Sequence, residues 1–280
     1  MRRPRNEPAT VGTVSVDKVS ADSAALRAET APASRRRARA GTVSGAPILA
    51  LEGGFRAGRR TLRKRAIEMT SQVGPLQGAI LGLLGLLLAF SFAAAGARFL
   101  ERQDLILQEA NAIGTAYLRA DLLDEPYRSE LRAALKRYTE SRIDVARRLR
   151  SGPTSADLAE AEQLHAGIWN AARAGVAARP AAMLTVLAPV NEVIDLHATR
   201  VAAIEKRLPP LVLVSLIASS MLAVWAIGYG AGLAGPRHVP LTFALTILIS
   251  LALWITIDLD RPRAGLIQLS DAPLEALKLE

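Results

Sequence analysis

The sequence predicts an all-α integral membrane protein with three clear transmembrane helices. Residues 74–97, 211–230 and 241–257 are apolar runs of about 17 to 24 residues without a charged side chain. A helix that rises 1.5 Å per residue needs about this length to cross roughly 30 Å of hydrocarbon. None of the runs carries the polar stripe that a soluble helix of this length shows.

Composition narrows the class of protein. The chain has 280 residues, is 50% hydrophobic and contains no cysteine, which excludes disulfides and thiolate chemistry. Because no nucleotide loop, hydrolase elbow, zinc-protease helix or EF-hand pattern occurs, we expect no enzyme, no cofactor and no metal. The net charge of +9 is concentrated before the first span. Basic clusters in that position indicate lipid contact rather than nucleic-acid binding.

The chain ahead of the first span divides into a tail and a linker. Residues 1–46 are rich in Ala, Arg, Ser, Thr and Pro and lack apolar periodicity, so they are predicted to be a disordered basic tail. Residues 47–74 hold the truncated end of an apolar segment and then a basic linker. The first span is predicted at 75–97, because Pro75 suits the first turn of a helix.

Residues 98–208 are predicted to form a helical extramembrane region. Apolar residues recur there every three or four positions, with breaks near Pro126 and Pro180 and a capping-box pattern at Thr154 and Asp157. The apolar stripes contain Ile106, Ala110, Ile113 and Tyr117; Leu131, Leu135, Tyr138 and Val145; and Leu158, Ala161, Ile168 and Ala172.

Beyond this region the sequence returns to the membrane. Residues 209–230 and 239–257 are predicted to be the second and third transmembrane helices, which form an antiparallel hairpin. Residues 258–280 are a C-terminal tail that is expected to lie against the soluble helices or the membrane surface.

Small residues follow one face of the first span and, less strongly, of the second. Such faces let helix backbones approach closely, which drives association in lipid. The pattern predicts close packing within or between subunits, and lining a pore is the alternative. The members are Gly78, Gly82, Gly85, Ala89 and Ala93 on the first span, and Ser215 and Ser219 on the second.

Two polar clusters lie where the helical region meets the spans. They comprise Glu109, Asn111, Thr115 and Arg119 after the first span, and Asn191, Glu192, Asp195, His197 and Arg200 before the second. If the two spans pack together, their extensions run side by side and these groups satisfy one another, with Arg119 expected to pair with Glu192 or Asp195. Metal or proton handling at His197 is the alternative, and His165 is expected on a helix surface.

Four segments are long enough to carry a specific resemblance. They are GPLQGA leading into LLGLLLAFSF, EANAIGTAYLRADLLDEPYRSELR (109–132), NEVIDLH (191–197) and DLDRPRAGLI (258–267). Over about residues 50–275 the chain resembles the bacterial bestrophin-like-domain family of membrane proteins. The resemblance implies paired spans at each end of a helical region, and therefore a fourth span.

The resemblance also implies a function. Bestrophins proper look like homopentameric anion channels with apolar constrictions, so the expectation is a homo-oligomer in the lipid bilayer that conducts or transports small anions. The opposing class is a non-conducting scaffold or sensor whose helical region binds a partner or ligand. Family members usually carry an additional span before the basic linker. A misassigned start and a real loss of that span are the two explanations for its absence here.

Two arguments place the helical region on opposite sides of the cell inner membrane. The positive-inside rule puts the basic linker before residue 75 in the cytoplasm, and hence residues 98–208 outside. The bestrophin-like layout and the basic residues Arg200, Lys206 and Arg207 favour a cytoplasmic helical region instead. The sequence leaves both orientations open for this multi-pass protein.

Overall fold

The computed structural model describes residues 33–64, 70–148, 153–235, 239–261 and 265–279, and these residues are all-α as predicted. The chain forms two compact units, residues 1–49 and 50–280. Its α-helices are α1 (Ala33–Lys64), α2 (Thr70–Arg119), α3 (Tyr127–Arg148), α4 (Ser155–Ala178), α5 (Met183–Glu205), α6 (Pro210–Ala234), α7 (Val239–Leu259) and α8 (Ala272–Glu275). Short 3₁₀ turns occupy Ala120–Leu122 and Pro180–Ala182.

Three helices are long and apolar enough to cross a membrane, judged by length and composition. Their apolar parts lie in α2, α6 and α7, as the sequence predicts. α2 does not end where its apolar stretch ends, because its 50 residues continue unbroken into the helical region. A fourth helix of this kind, which the family layout implies, is not found among the described residues.

The N-terminal helix differs from the sequence prediction. α1 begins at Ala33, within the segment predicted to be disordered, and it includes the predicted basic linker as far as Lys64. Ala, Arg and Leu are strong helix formers, so helix propensity outweighs the lack of an apolar stripe here. Residues 1–32 and 65–69 lie outside the described residues, so the predictions for them remain untested.

Residues 50–64 of α1 pack tightly against α6 through glycines on both helices. A Cβ added at Gly54 would overlap the carbonyl oxygen of Trp225, and one at Gly58 that of Tyr229. In the same way a Cβ at Gly228 or Gly232 of α6 would overlap backbone oxygen atoms of α1. Residue numbers rise together along both helices, so α1 and α6 run parallel. Glycines four apart on both helices bring the two backbones into direct contact.

The three apolar helices share a small core. Leu84 of α2, Ala223 and Val224 of α6, and Ile249 of α7 are buried together. The Gln77 side chain of α2 donates a hydrogen bond to the carbonyl oxygen of Ala226. Since the start of α2 meets the end of α6, these helices are antiparallel.

A polar joint connects the apolar helices to the helical region. Arg102 of α2 donates through Nε to the carbonyl oxygen of Ala203, 2.9 Å away, and through Nη2 to that of Lys206. These bonds satisfy carbonyl groups that the end of α5 would leave without partners. Asp260 accepts from the backbone N–H of Leu208 at 3.0 Å and lies 3.7 Å from Arg98. Arginine and aspartate thus hold the break between α5 and α6.

The helical region is a bundle of the second half of α2 with α3, α4 and α5. Its core includes Ile113, Leu135, Ile168 and Val190, all fully buried, and most of the apolar stripes predicted from the sequence lie in it. The predicted capping box is confirmed, since Thr154 and Asp157 exchange hydrogen bonds at the start of α4. α2 and α5 lie side by side as expected.

The C-terminal tail packs onto the bundle. Leu274 in α8 is 1% exposed and belongs to the bundle core. Between α7 and the tail, Asp258 accepts from the backbone N–H groups of Leu266 (3.1 Å) and Ile267 (2.8 Å). Gly265 is required at this turn, because a Cβ there would overlap the Asp258 carboxylate.

Candidate functional site

Six polar side chains meet inside the helical bundle, and every one of its four helices contributes. We call them the Glu109 cluster: Glu109 from α2, Tyr138 and Arg142 from α3, His165 from α4, and His197 and Arg200 from α5.

Glu109 lies at the centre of the cluster and is completely buried. Its Oε1 atom accepts a 2.5 Å hydrogen bond from Tyr138 Oη and lies 3.3 Å from Arg142 Nε. Its Oε2 atom is paired with Arg200, which is 4% exposed. An isolated buried carboxylate is very costly, so these partners are what allow the charge to lie in the core.

The second part of the cluster is aromatic. The His165 and His197 rings meet edge to face with centroids 4.7 Å apart, and the Tyr138 ring lies 5.1 Å from His165. His197 Nδ1 is 3.2 Å from Tyr138 Oη. Because the single Tyr138 hydrogen is directed at Glu109, the hydrogen-bond pattern assigns the Nδ1–H tautomer to His197, with Nδ1 as donor.

Burial shifts the pKa values of Tyr138 and His165. Burial, together with the charge of Arg142, lowers the pKa of His165 from 6.5 to about 4. Burial also raises the pKa of Tyr138 well above its usual value of 10. At neutral pH the imidazole of His165 is therefore uncharged and the phenol remains a hydrogen-bond donor.

The tail closes the cluster on one side. Asp271, the residue before α8, lies 3.9 Å from Nη2 of Arg200. Its charge and that of Glu109 balance Arg142 and Arg200, so the cluster and Asp271 together are neutral when both histidines are uncharged. Such a network can hold four helices and the tail at fixed positions, and it joins a histidine to a carboxylate through one phenol.

The structure brings together only some of the predicted polar residues. Glu109, His197 and Arg200 are in the cluster. The others lie outside it: Asn111, Asn191, Glu192 and Asp195 are exposed, Thr115 is half-buried, and Arg119 donates at 3.0 Å to the carbonyl oxygen of Thr185. The expected ion pair of Arg119 with Glu192 or Asp195 does not form among the described residues.

The position of His165 differs from the sequence prediction. It was expected on a helix surface, but it contacts Tyr138 and His197, and its buried Nε2 atom has no hydrogen-bond partner among the described residues. The sequence held a signal, because His165 continues the α4 stripe between Ala161 and Ile168. Arg142 likewise occupies a stripe position, four residues after Tyr138 of α3.

The small-residue face of α2 is open among the described residues. There, a Cβ at Gly78, Gly82 or Gly85 would meet no atom within 4 Å, and Ala89 and Ala93 are exposed. On α6, Ser215 is exposed and Ser219 is half-buried. Packing of this face against another copy therefore stays a prediction.

The comparisons with known proteins give one match. The family model described as a bestrophin-like domain matches residues 44–274, from within α1 to within α8. No curated protein and no solved structure matches the chain.

Proposed function

The chain belongs to the bestrophin-like family, and on that premise we propose that it is a multi-pass inner-membrane protein that assembles as a homo-oligomer and conducts small anions. Three long apolar helices supply the membrane-crossing part. The proposal assigns the protein no enzymatic activity.

The open small-residue face of α2 is the observation that carries this proposal. The opposite side of α2 packs on α6 and α7 through Leu84 and Gln77, whereas no atom of the part that the structure describes lies within 4 Å of a Cβ at Gly78, Gly82 or Gly85. A face of glycine and alanine in lipid is a contact surface for another helix. Copies arranged around an axis with these faces inward would enclose an apolar passage, and apolar constrictions can gate channels.

The distribution of charge supports anions as the permeant species. The protein carries a net charge of +9. Exposed Arg60 and Arg63 of α1 lie near one end of the apolar stretch of α2. Positive potential at that entrance would raise the local concentration of anions.

Flux into liposomes tests the proposal directly. Purified full-length protein, its oligomer size measured by native mass spectrometry, is reconstituted and assayed for chloride and bicarbonate uptake. We expect uptake above protein-free vesicles, and we expect Gly82→Leu and Gly85→Leu to change oligomer size and abolish uptake. Ala94→Leu is the matched control, because Ala94 is exposed on α2 about half a turn from Gly85.

The flux assay also distinguishes the second candidate, a non-conducting sensor. The observation favouring a sensor is the Glu109 cluster, a charged and enclosed network in the bundle, while the apolar stretches contain no Asp, Glu, Lys, Arg or His. No chloride or bicarbonate uptake by correctly inserted oligomers would remove the channel proposal and leave the sensor.

A further inference from the structure

We propose that Arg60 and Arg63 of α1, with Arg56, form a binding surface for the phosphate groups of anionic lipids. The inference concerns contact with the bilayer surface and holds whether or not the protein conducts anions. It is carried by the position of these side chains on α1, by their exposure and, for Arg60 and Arg63, by the absence of a partner among the described residues.

The three arginines share one face of α1. Positions 56, 60 and 63 follow the four-and-three spacing of a helix with 3.6 residues per turn. Gly54 and Gly58, which contact α6, fall on the other side, about half a turn away. The contact with α6 therefore fixes the rotation of α1 and turns the arginines outward.

The arginines are available for a ligand. Arg60 and Arg63 are exposed, and among the residues that the structure describes neither makes a hydrogen bond or an ion pair. Arg56 is 69% exposed on its side chain and pairs with Glu52, one turn earlier on α1. An exposed pair of this kind is weak, so a phosphate can replace the carboxylate at little cost.

The position of the three arginines along the apolar stretch of α6 indicates a lipid headgroup as the ligand. Gly58 lies against Gly232, and Arg59 donates to the carbonyl oxygen of Gly235 at 3.3 Å, so this part of α1 lies beside the end of the α6 apolar stretch. Trp225 and Tyr229 of α6 are stacked with centroids 5.4 Å apart near the same end, as aromatic residues are at bilayer interfaces. Arginines at that level lie among lipid phosphates.

Native mass spectrometry of the full chain released from vesicles tests the proposal. Vesicles contain phosphatidylglycerol and phosphatidylcholine in equal amounts. We expect the wild type to retain phosphatidylglycerol preferentially. Arg60→Gln with Arg63→Gln should lower its affinity on the order of 30-fold, since each arginine near a lipid surface is worth ~5-fold. The matched control is Arg137→Gln with Arg173→Gln, two exposed arginines of the bundle.

Two outcomes would overturn the proposal. One is equal retention of phosphatidylglycerol by the wild type and the Arg60/Arg63 variant, with both intact by thermal unfolding. The other is displacement of the lipid by millimolar inorganic phosphate, which would assign the surface to a soluble anion. Neither outcome bears on anion conduction, because no flux is measured.

Discussion

At the scale of single residues, the polar side chains in the bundle core stand where apolar ones are expected. Glu109, His165 and Arg200 each fall on the apolar stripe of their helix, and each contacts other members of the Glu109 cluster. Periodicity therefore shows which polar residues are buried, but a single helix does not show what they meet. Two of the partners of Glu109, Tyr138 and Arg142, come from α3, which the sequence alone does not place beside it.

We predict that Glu109→Gln destabilises the protein by about 3–5 kcal/mol, because it removes the buried carboxylate that pairs with Arg142 and Arg200. Chemical unfolding in mild detergent measures the effect. Glu275→Gln is the control, since its pair with Arg147 is exposed on both sides and is worth about 0–1 kcal/mol. Equal effects for the two variants would show that the buried charge is not needed.

The low pKa of His165 predicts a loss of stability in acid. The folded protein binds this proton near pH 4, whereas the unfolded chain binds it near pH 6.5. Protonation therefore favours the unfolded state, and stability present above pH 6.5 is lost as the pH falls towards about 4. Arg142 and His197 face the same ring.

The effect is measured as the melting temperature from pH 7.5 to pH 4.5. Relative to the wild type, His165→Phe keeps a ring in place and should reduce the fall in melting temperature over this interval. A fall of the same size in both proteins would assign the acid sensitivity to other groups.

At the scale of helices, the sequence predicts the apolar helices well and their contacts poorly. An apolar stretch long enough for a bilayer is a local property, so α2, α6 and α7 can be found without a partner in view. The contact between α1 and α6 joins residues more than 170 positions apart. Its signal was present as two pairs of glycines four apart, but the first pair lies in a segment that was interpreted as a truncated span and linker.

The α1–α6 contact predicts that alanine substitutions at two adjacent glycines have opposite effects on stability. Gly54→Ala should destabilise the protein by about 1–3 kcal/mol, because its methyl group overlaps the Trp225 carbonyl and forces the helices apart. A Cβ at Gly53 would meet no atom of the described residues within 4 Å, so Gly53→Ala should be neutral or stabilising by about 0.5–1 kcal/mol through helix propensity. Thermal unfolding of the two variants decides the matter, and similar losses in both would argue against the contact.

At the scale of the whole molecule, a membrane crossing by α2 would place the basic face of α1 and the bundle on opposite sides. The chain contains no cysteine, so single-cysteine variants report position without interference. We predict that Arg60→Cys and Arg137→Cys react with a membrane-impermeant maleimide from opposite sides of the inner membrane, with position 60 on the cytoplasmic side. Labelling of both from the same side would show that α2 does not cross.

The unbroken course of α2 has a consequence for how the two halves of the protein are related. At 1.5 Å per residue its 50 residues form a rod of roughly 75 Å that carries Gly82 near one end and Glu109 towards the other. The angle between these positions about the rod is set by residue count alone. One residue inserted near position 100 would rotate the small-residue face by roughly 100° relative to the bundle. Seven inserted residues would return this face to within roughly 20° of its original direction. The number of residues between Gly82 and Glu109 therefore fixes how the small-residue face is rotated relative to the bundle, and this spacing matters as much as the residues at either end.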